Sequence, residues 1–138
     1  MEQQSRLGCL IFSGSAVPQQ LDGERTAEVF QAMIQDRMGI TAESSDIKAA
    51  YRLQSKNILV EFTSIAFNSV RDRIFRSKTS KLQGSGLFVS ESLTSRRQKI
   101  FQRLLQLKRS GVIVSVFTQS GDIFIRRHVD SVPQHIQD

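Results

Sequence analysis

Thirteen of the nineteen Lys and Arg residues in this sequence fall between positions 71 and 127, where only three Asp or Glu oppose them. The seventy residues before that stretch hold six cations and eight acids, and the eleven after it hold two acids and no Lys or Arg. The net charge of +6 is therefore the average of a mildly acidic majority and one strongly basic segment. Such segregation is the footprint of a surface that neutralises phosphates, because a coat charged only for solubility mixes the two signs. The carriers form three groups: Arg71, Arg73, Arg76, Lys78 and Lys81, then Arg96, Arg97, Lys99, Arg103, Lys108 and Arg109, then Arg126 and Arg127.

Residue patterns for catalysis are missing. Gly84-Ser85-Gly86 lacks the lysine and flanks of a phosphate loop, and no nucleophile elbow, paired-histidine metal motif, Cys-x-x-Cys or calcium-loop spacing occurs. His128 and His135 sit at the polar C-terminal end with few potential ligands nearby, and Asp130 alone makes no site. The single cysteine, Cys9, lies in the apolar run Cys9-Leu10-Ile11-Phe12 and reads as a small buried hydrophobe. The expectation is a protein that is not an enzyme, with no catalytic residue, metal or cofactor.

The elements that must position the cations belong to a short folded chain. With 138 residues, of which 39% are hydrophobic and 23% charged, it can bury a sizeable core as one compact domain or two small ones. Its apolar runs are far shorter than the roughly 20 residues that cross a bilayer, so no membrane partner is expected. One cysteine and no leader-like start argue for a reducing interior.

Residues 1 to 7 read as a polar arm, and Gly8 to Ala16 as a strand ended by small residues and Pro18. Asp22 to Met38 places Val29, Met33 and Ile34 on a helical stripe widened by Phe30 and Met38, with Gly39 as the stop. Ser45 to Leu53 alternates Ile47, Ala49, Tyr51 and Leu53 as a strand, and Asn57 to Thr63 is the next. From Ser64 to about Lys78, Phe67, Val70 and Ile74 set a second helix, with Arg71, Arg73 and Arg76 mostly on other faces. Leu87 to Ser90 is a short strand. The succession strand, helix, strand, strand, helix, strand is that of a split βαβ sandwich, a four-stranded antiparallel sheet with two helices on one face.

Thr94 then caps a helix to about Ser110, stopped by Gly111, and Val112 to Phe117 and Asp122 to Arg127 form a hairpin around the turn Thr118-Gln119-Ser120-Gly121. Residues 91 to 127 look too small to hold a core alone, so they should dock on the first unit and bring the three cationic groups to one cleft. The fold class is thus α+β: an RNA-recognition-like sandwich over 8–90, followed by a helix plus β-hairpin appendage in a C-terminal domain over 91–138.

Sheets of this type bind single strands by stacking bases on aromatics of the central strands. Phe12 falls about where such a module has its first-strand aromatic, and stacking and core packing are both open to it. Asn57 and Leu59 occupy the usual third-strand stacking positions, and Phe62 reads as core. Binding should lean on charge, with weak sequence preference and steep salt dependence.

Two stretches carry a family likeness. Leu87-Phe88-Val89-Ser90-Glu91-Ser92-Leu93-Thr94 leads into Arg96-Arg97-Gln98-Lys99-Ile100-Phe101, and the likeness resumes from Val116 through Phe117-Thr118-Gln119-Ser120-Gly121-Asp122 to Arg126. These resemble the C-terminal region of baculovirus few-polyhedra proteins and of the first-open-reading-frame proteins of LINE-type, non-LTR retrotransposons. Leu10 to Thr63 is similar to the degenerate RNA-recognition module of the latter. Phe117 stands where the hairpin motif often has tryptophan, and Gln119 where a basic residue is common. The resemblance implies a single-stranded RNA or DNA binding, nucleic-acid chaperone-like domain of a retrotransposon ribonucleoprotein, with Arg96 and Arg97 at matching basic positions. It also implies cytoplasmic ribonucleoprotein particles or the nucleus as the location, and a homo-oligomer formed through a segment not present here. The alternative implied by the viral relatives is a protein–protein interaction module. The nucleic-acid-binding candidates are Arg71, Arg73, Arg76, Lys78, Lys81, Arg96, Arg97, Lys99, Arg103, Arg126, Arg127 and Phe12.

Overall fold

The structure, a computed structural model, describes residues 6–136. The fold is α+β, in two compact units: Gly8–Ser90, and residues 6–7 together with 91–136. Of the expected polar arm, residues 1–5 lie outside the described residues. Arg6 is tied into the second unit, its Nη1 donating to Ser92 Oγ at 3.2 Å and to the Leu93 carbonyl at 3.1 Å.

The first unit runs β1 (Cys9–Ser13), α1 (Thr26–Met38), a short 3-10 turn (Ser44–Asp46), β2 (Ile47–Arg52), β3 (Ile58–Phe62), α2 (Val70–Leu82) and β4 (Phe88–Glu91), whose last residue belongs to the second unit. The four strands form an antiparallel sheet in the order β2-β3-β1-β4. Alternation along the strands sends Leu10, Phe12, Ile58, Val60 and Phe62 into one apolar cluster with Phe30, Met33 and Ile34 of α1 and Val70, Ile74 and Leu82 of α2. Both helices therefore bury their stripes on the same face of the sheet. Strand β2 departs from the simple alternation read in the sequence. A register shift between Ile47 and Ala49 turns Ile47 and Ala50 towards the core and Ala49 and Tyr51 to the other face. Gly14, at φ +104°, lets β1 pass close to the chain entering β4, since a Cβ there would collide with the Gly86 carbonyl.

Helix α2 starts six residues later than its apolar spacing suggests. Ser69 is its N-cap, accepting from the Asp72 amide at 3.3 Å, and Asn68 before it holds a left-handed φ of 67° that ends any upstream helix. Phe67 is consequently not on the helical stripe but 79% exposed.

The second unit contains α3 (Ser95–Arg109), β5 (Ser115–Gln119), β6 (Asp122–Arg126) and β7 (Gln134–Ile136), with the strands in that order in one sheet. Val116, Ile123 and Ile125 point to one face and, with Ile113, make a cluster that Ile100, Phe101, Leu104, Leu105 and Ile136 complete. This unit thus has a core of its own, contrary to the expectation that the appendage is too small for one. The added strand β7, whose polar sequence gives no alternation to read, supplies Ile136. Ser120 and Gly121, with φ of 52° and 79°, form a two-residue turn of the kind that matches strand twist and pairs Gln119 with Asp122.

Candidate nucleic-acid interface

The cations of α2 are largely occupied within their own unit. Arg71 is buried, its guanidinium 5.2 Å from the Phe75 ring centroid, and Lys78 Nζ lies 4.5 Å from the same centroid while donating to the Val89 carbonyl at 3.3 Å. Lys81 Nζ donates to the Met38 carbonyl at the end of α1 (3.2 Å), where a cation also meets the negative end of that helix dipole. Arg76 pairs with Asp72 (Nε to Oδ2, 2.9 Å), donates to Asn68 Oδ1 at 3.0 Å, and lies 4.8 Å from the Phe67 ring centroid. The Asn68 backbone N–H, followed by the Arg76 guanidinium, holds the Asp72 carboxyl below its usual range. Of this group Arg73 is exposed, and its side chain makes no hydrogen bond or ion pair among the described residues.

Helix α3 is built differently. From Ser95 to Arg109 it carries six cations and no acid. Thr94 caps it, its hydroxyl accepting from the Arg97 amide at 3.3 Å. The Arg97 side chain turns back into the unit, donating from Nη1 to the Gly121 carbonyl at 2.8 Å and lying 3.4 Å from Asp122 Oδ1. Buried Glu91 receives the Gly121 N–H at 3.1 Å. Glu91, Thr94, Arg97 and the 120–121 turn are therefore one clamp between the helix start and the hairpin tip, and Arg97 is a positioning residue.

Arg96, Lys99 and Arg103 are exposed and follow one another along α3. With Ile100, Leu104 and Leu107 they line a concave strip of about 600 Å³. At 1.5 Å per residue the three cations span about 10 Å of helix axis. That length matches about three nucleotides of a stacked strand at roughly 3.4 Å each. Lys108 and Arg109 are exposed in the last turn, where they complement the helix dipole. Arg126 is exposed on β6, and Arg127 donates from Nε to Gln134 Oε1 at 3.2 Å. The sequence had named every one of these cations; what it could not show was which of them fold back.

Phe12 is not a stacking platform. It is fully buried, its ring 5.0 Å from that of Phe30, because it alternates onto the face that both helices cover. On the other face, β1 and β3 present Ile11 opposite Leu59, with Tyr51 of β2 next in the row. The exposed aromatics of this unit, Tyr51, Phe67 and Phe88, thus lie off the two central strands.

A concavity of about 840 Å³ between the 17–24 loop and the 51–57 hairpin is floored by Glu24 and Arg52. These two side chains, 6% and 5% exposed, form a two-pronged pair, Nε to Oε2 at 2.8 Å and Nη2 to Oε1 at 3.2 Å. Arg52 hydrogen bonding, aided by the Leu21 amide and Thr26 hydroxyl, holds the Glu24 carboxyl down at about 2. The pair staples a loop to a hairpin. Among the described residues, no cluster of three or more His, Cys, Asp and Glu could hold a metal ion, and no helix is long and apolar enough to cross a membrane. Comparison with protein-family models gives no match for this chain, and comparison with curated proteins gives none.

Proposed function

We propose that this protein is a non-enzymatic binder of single-stranded RNA or DNA whose phosphate-contacting surface is the exposed side of α3. One observation carries the reading: Arg96, Lys99 and Arg103 line a single strip on a helix without acids, and their side chains have no ion-pair partner among the described residues. Such exposed groups can meet phosphate oxygens directly, and neutralising those phosphates releases the counterions condensed on the strand. The order β2-β3-β1-β4 and the strand–helix–strand–strand–helix–strand succession support reading the first unit as an RNA-recognition-like sandwich that serves mainly as scaffold. The likeness of residues 87–101 and 116–126 to retrotransposon first-open-reading-frame proteins supports a chaperone-like role in a ribonucleoprotein.

The test is binding of an unstructured oligonucleotide by the full chain over a salt series. Affinity should fall steeply with salt, and the triple variant Arg96→Ala/Lys99→Ala/Arg103→Ala should lower the slope of log affinity against log salt by about 2. An unchanged slope in a folded triple variant removes the assignment. A second reading, the interaction module of few-polyhedra type, is favoured by the apolar floor of Ile100, Leu104 and Leu107, which suits an acidic amphipathic helix. It requires negligible oligonucleotide affinity at any salt.

A further inference from the structure

The two-residue turn that joins β5 to β6 sets Phe117 directly opposite Phe124, and the pairing of β6 with β7 sets His135 opposite Phe124. The three rings form a row across the strands. The Phe117 and Phe124 rings are nearly parallel, 15° apart with centroids separated by 5.5 Å, and the imidazole follows at 5.1 Å and 34°. Val116, Ile123 and Ile125 alternate onto the side that packs with α3, so the row lies on the opposite, outer side of the sheet. There Phe117 and Phe124 are partly exposed and His135 is exposed. An outer sheet face of a small domain is ordinarily polar. One cross-strand aromatic pair is an ordinary means of stabilising a hairpin, but a third ring on a strand with no other alternation goes beyond it.

Charge on the same face fits an anion. Arg126, two residues beyond Phe124 and opposite Ser115, is exposed and makes no ion pair among the described residues. At the other end the Asp122 carboxylate lies 3.4 Å from Arg97, whose guanidinium offsets its charge, and 3.7 Å from His135 Nε2. The strand order leaves β5 and β7 at the edges of the sheet, and neither end of the ring row is closed by another strand of it.

We propose that this outer face is a base-stacking platform for a single strand, with Phe117 and His135 at the two open ends of the row offering ring faces, Phe124 holding them in line between, and Arg126 meeting the backbone. Unpaired bases are required, because only they present π-faces to a protein ring. The inference rests on the nucleic-acid reading above and extends it: α3 meets phosphates, and the opposite layer of the same unit meets bases. Two separable surfaces then act on one strand.

The experiment compares an unstructured oligonucleotide carrying a fluorescent aminopurine with a sugar–phosphate oligomer of equal length that lacks bases. Wild type should bind both, bind the base-bearing strand more tightly, and quench the aminopurine. Phe117→Leu and Phe124→Leu should each weaken binding of the base-bearing strand by about tenfold while leaving the baseless strand within about twofold. Phe117→Trp should retain or strengthen the quenching, which keeps the test decisive if a leucine variant fails to fold. An unquenched aminopurine with wild type, or folded leucine variants that bind both strands like wild type, overturns the platform and leaves the α3 reading standing. Failure of wild type to bind either strand overturns both.

Discussion

Arg96 and Arg97 are neighbours in sequence with opposite duties, and alanine at each should separate them. Arg97→Ala removes a 2.8 Å hydrogen bond to the Gly121 carbonyl and a 3.4 Å ion pair to Asp122, from a side chain that is 21% exposed. A hydrogen bond involving a charged group contributes about 1.5–3 kcal/mol, and partial exposure puts the expected loss at the lower end, about 1–2 kcal/mol. For a unit of this size that lowers the melting midpoint by about 5–10 °C. Arg96→Ala touches no such contact and should stay within about 0.5 kcal/mol of wild type. In binding the order reverses. Losing one phosphate contact to a single strand costs about fivefold at roughly 0.1 M salt, so Arg96→Ala binds about fivefold more weakly. Arg97→Ala, assayed well below its midpoint, should bind within about twofold of wild type. Arg97→Lys keeps the charge but not the planar fork, and should recover only part of the stability. Circular dichroism melts and oligonucleotide titrations on the same preparations read both quantities. An Arg97→Ala protein that melts with wild type and loses fivefold or more in affinity would refute the division of labour.

Two other variants test the first unit. Phe12→Ala empties a fully buried site against Phe30 and should cost about 3–5 kcal/mol in denaturant titrations, while the folded fraction keeps wild-type oligonucleotide affinity; a selective loss of binding would restore the stacking role. Because the folded-state carboxyl of Glu24 is lowered from 4.5 to about 2, its contribution is complete above pH 4.5 and is lost as pH falls toward 2. Glu24→Gln should therefore be less stable than wild type at neutral pH and show a flatter stability profile across that acid window, and superimposable acid limbs would contradict the pairing with Arg52.

The order of elements from β1 to α3 was legible because several of them carry local punctuation. Gly39 ends α1, Thr94 caps α3, and the alternation of Leu10, Phe12, Ile58, Val60 and Phe62 marks strands with one covered face. The start of α2 was misplaced because Phe67 extends the apolar spacing, whereas the Ser69 cap and the left-handed Asn68 decide the boundary. Strand β7 was invisible, since Gln134, His135 and Ile136 owe their extended form to hydrogen bonding with β6 rather than to any pattern of their own. The ring row was not legible: the sequence reads as a turn over 118–121, whereas the turn at 120–121 extends β5 to Gln119 and so sets Phe117 across from Phe124, and nothing local announces His135.

Charge was legible as an amount and illegible as a surface. Counting Lys and Arg located the basic segment, because net charge is a sum over residues and needs no coordinates. Whether a given guanidinium meets solvent depends on which carbonyls, carboxylates and rings the chain brings within reach. Arg71 finds Phe75, Lys81 finds the Met38 carbonyl, Arg97 finds Gly121, and Arg96, Lys99 and Arg103 remain in solvent along α3. Phe75 lies one helical turn from Arg71, but the Gly121 and Met38 carbonyls are 24 and 43 residues from the side chains they meet, and only tertiary packing sets such distances.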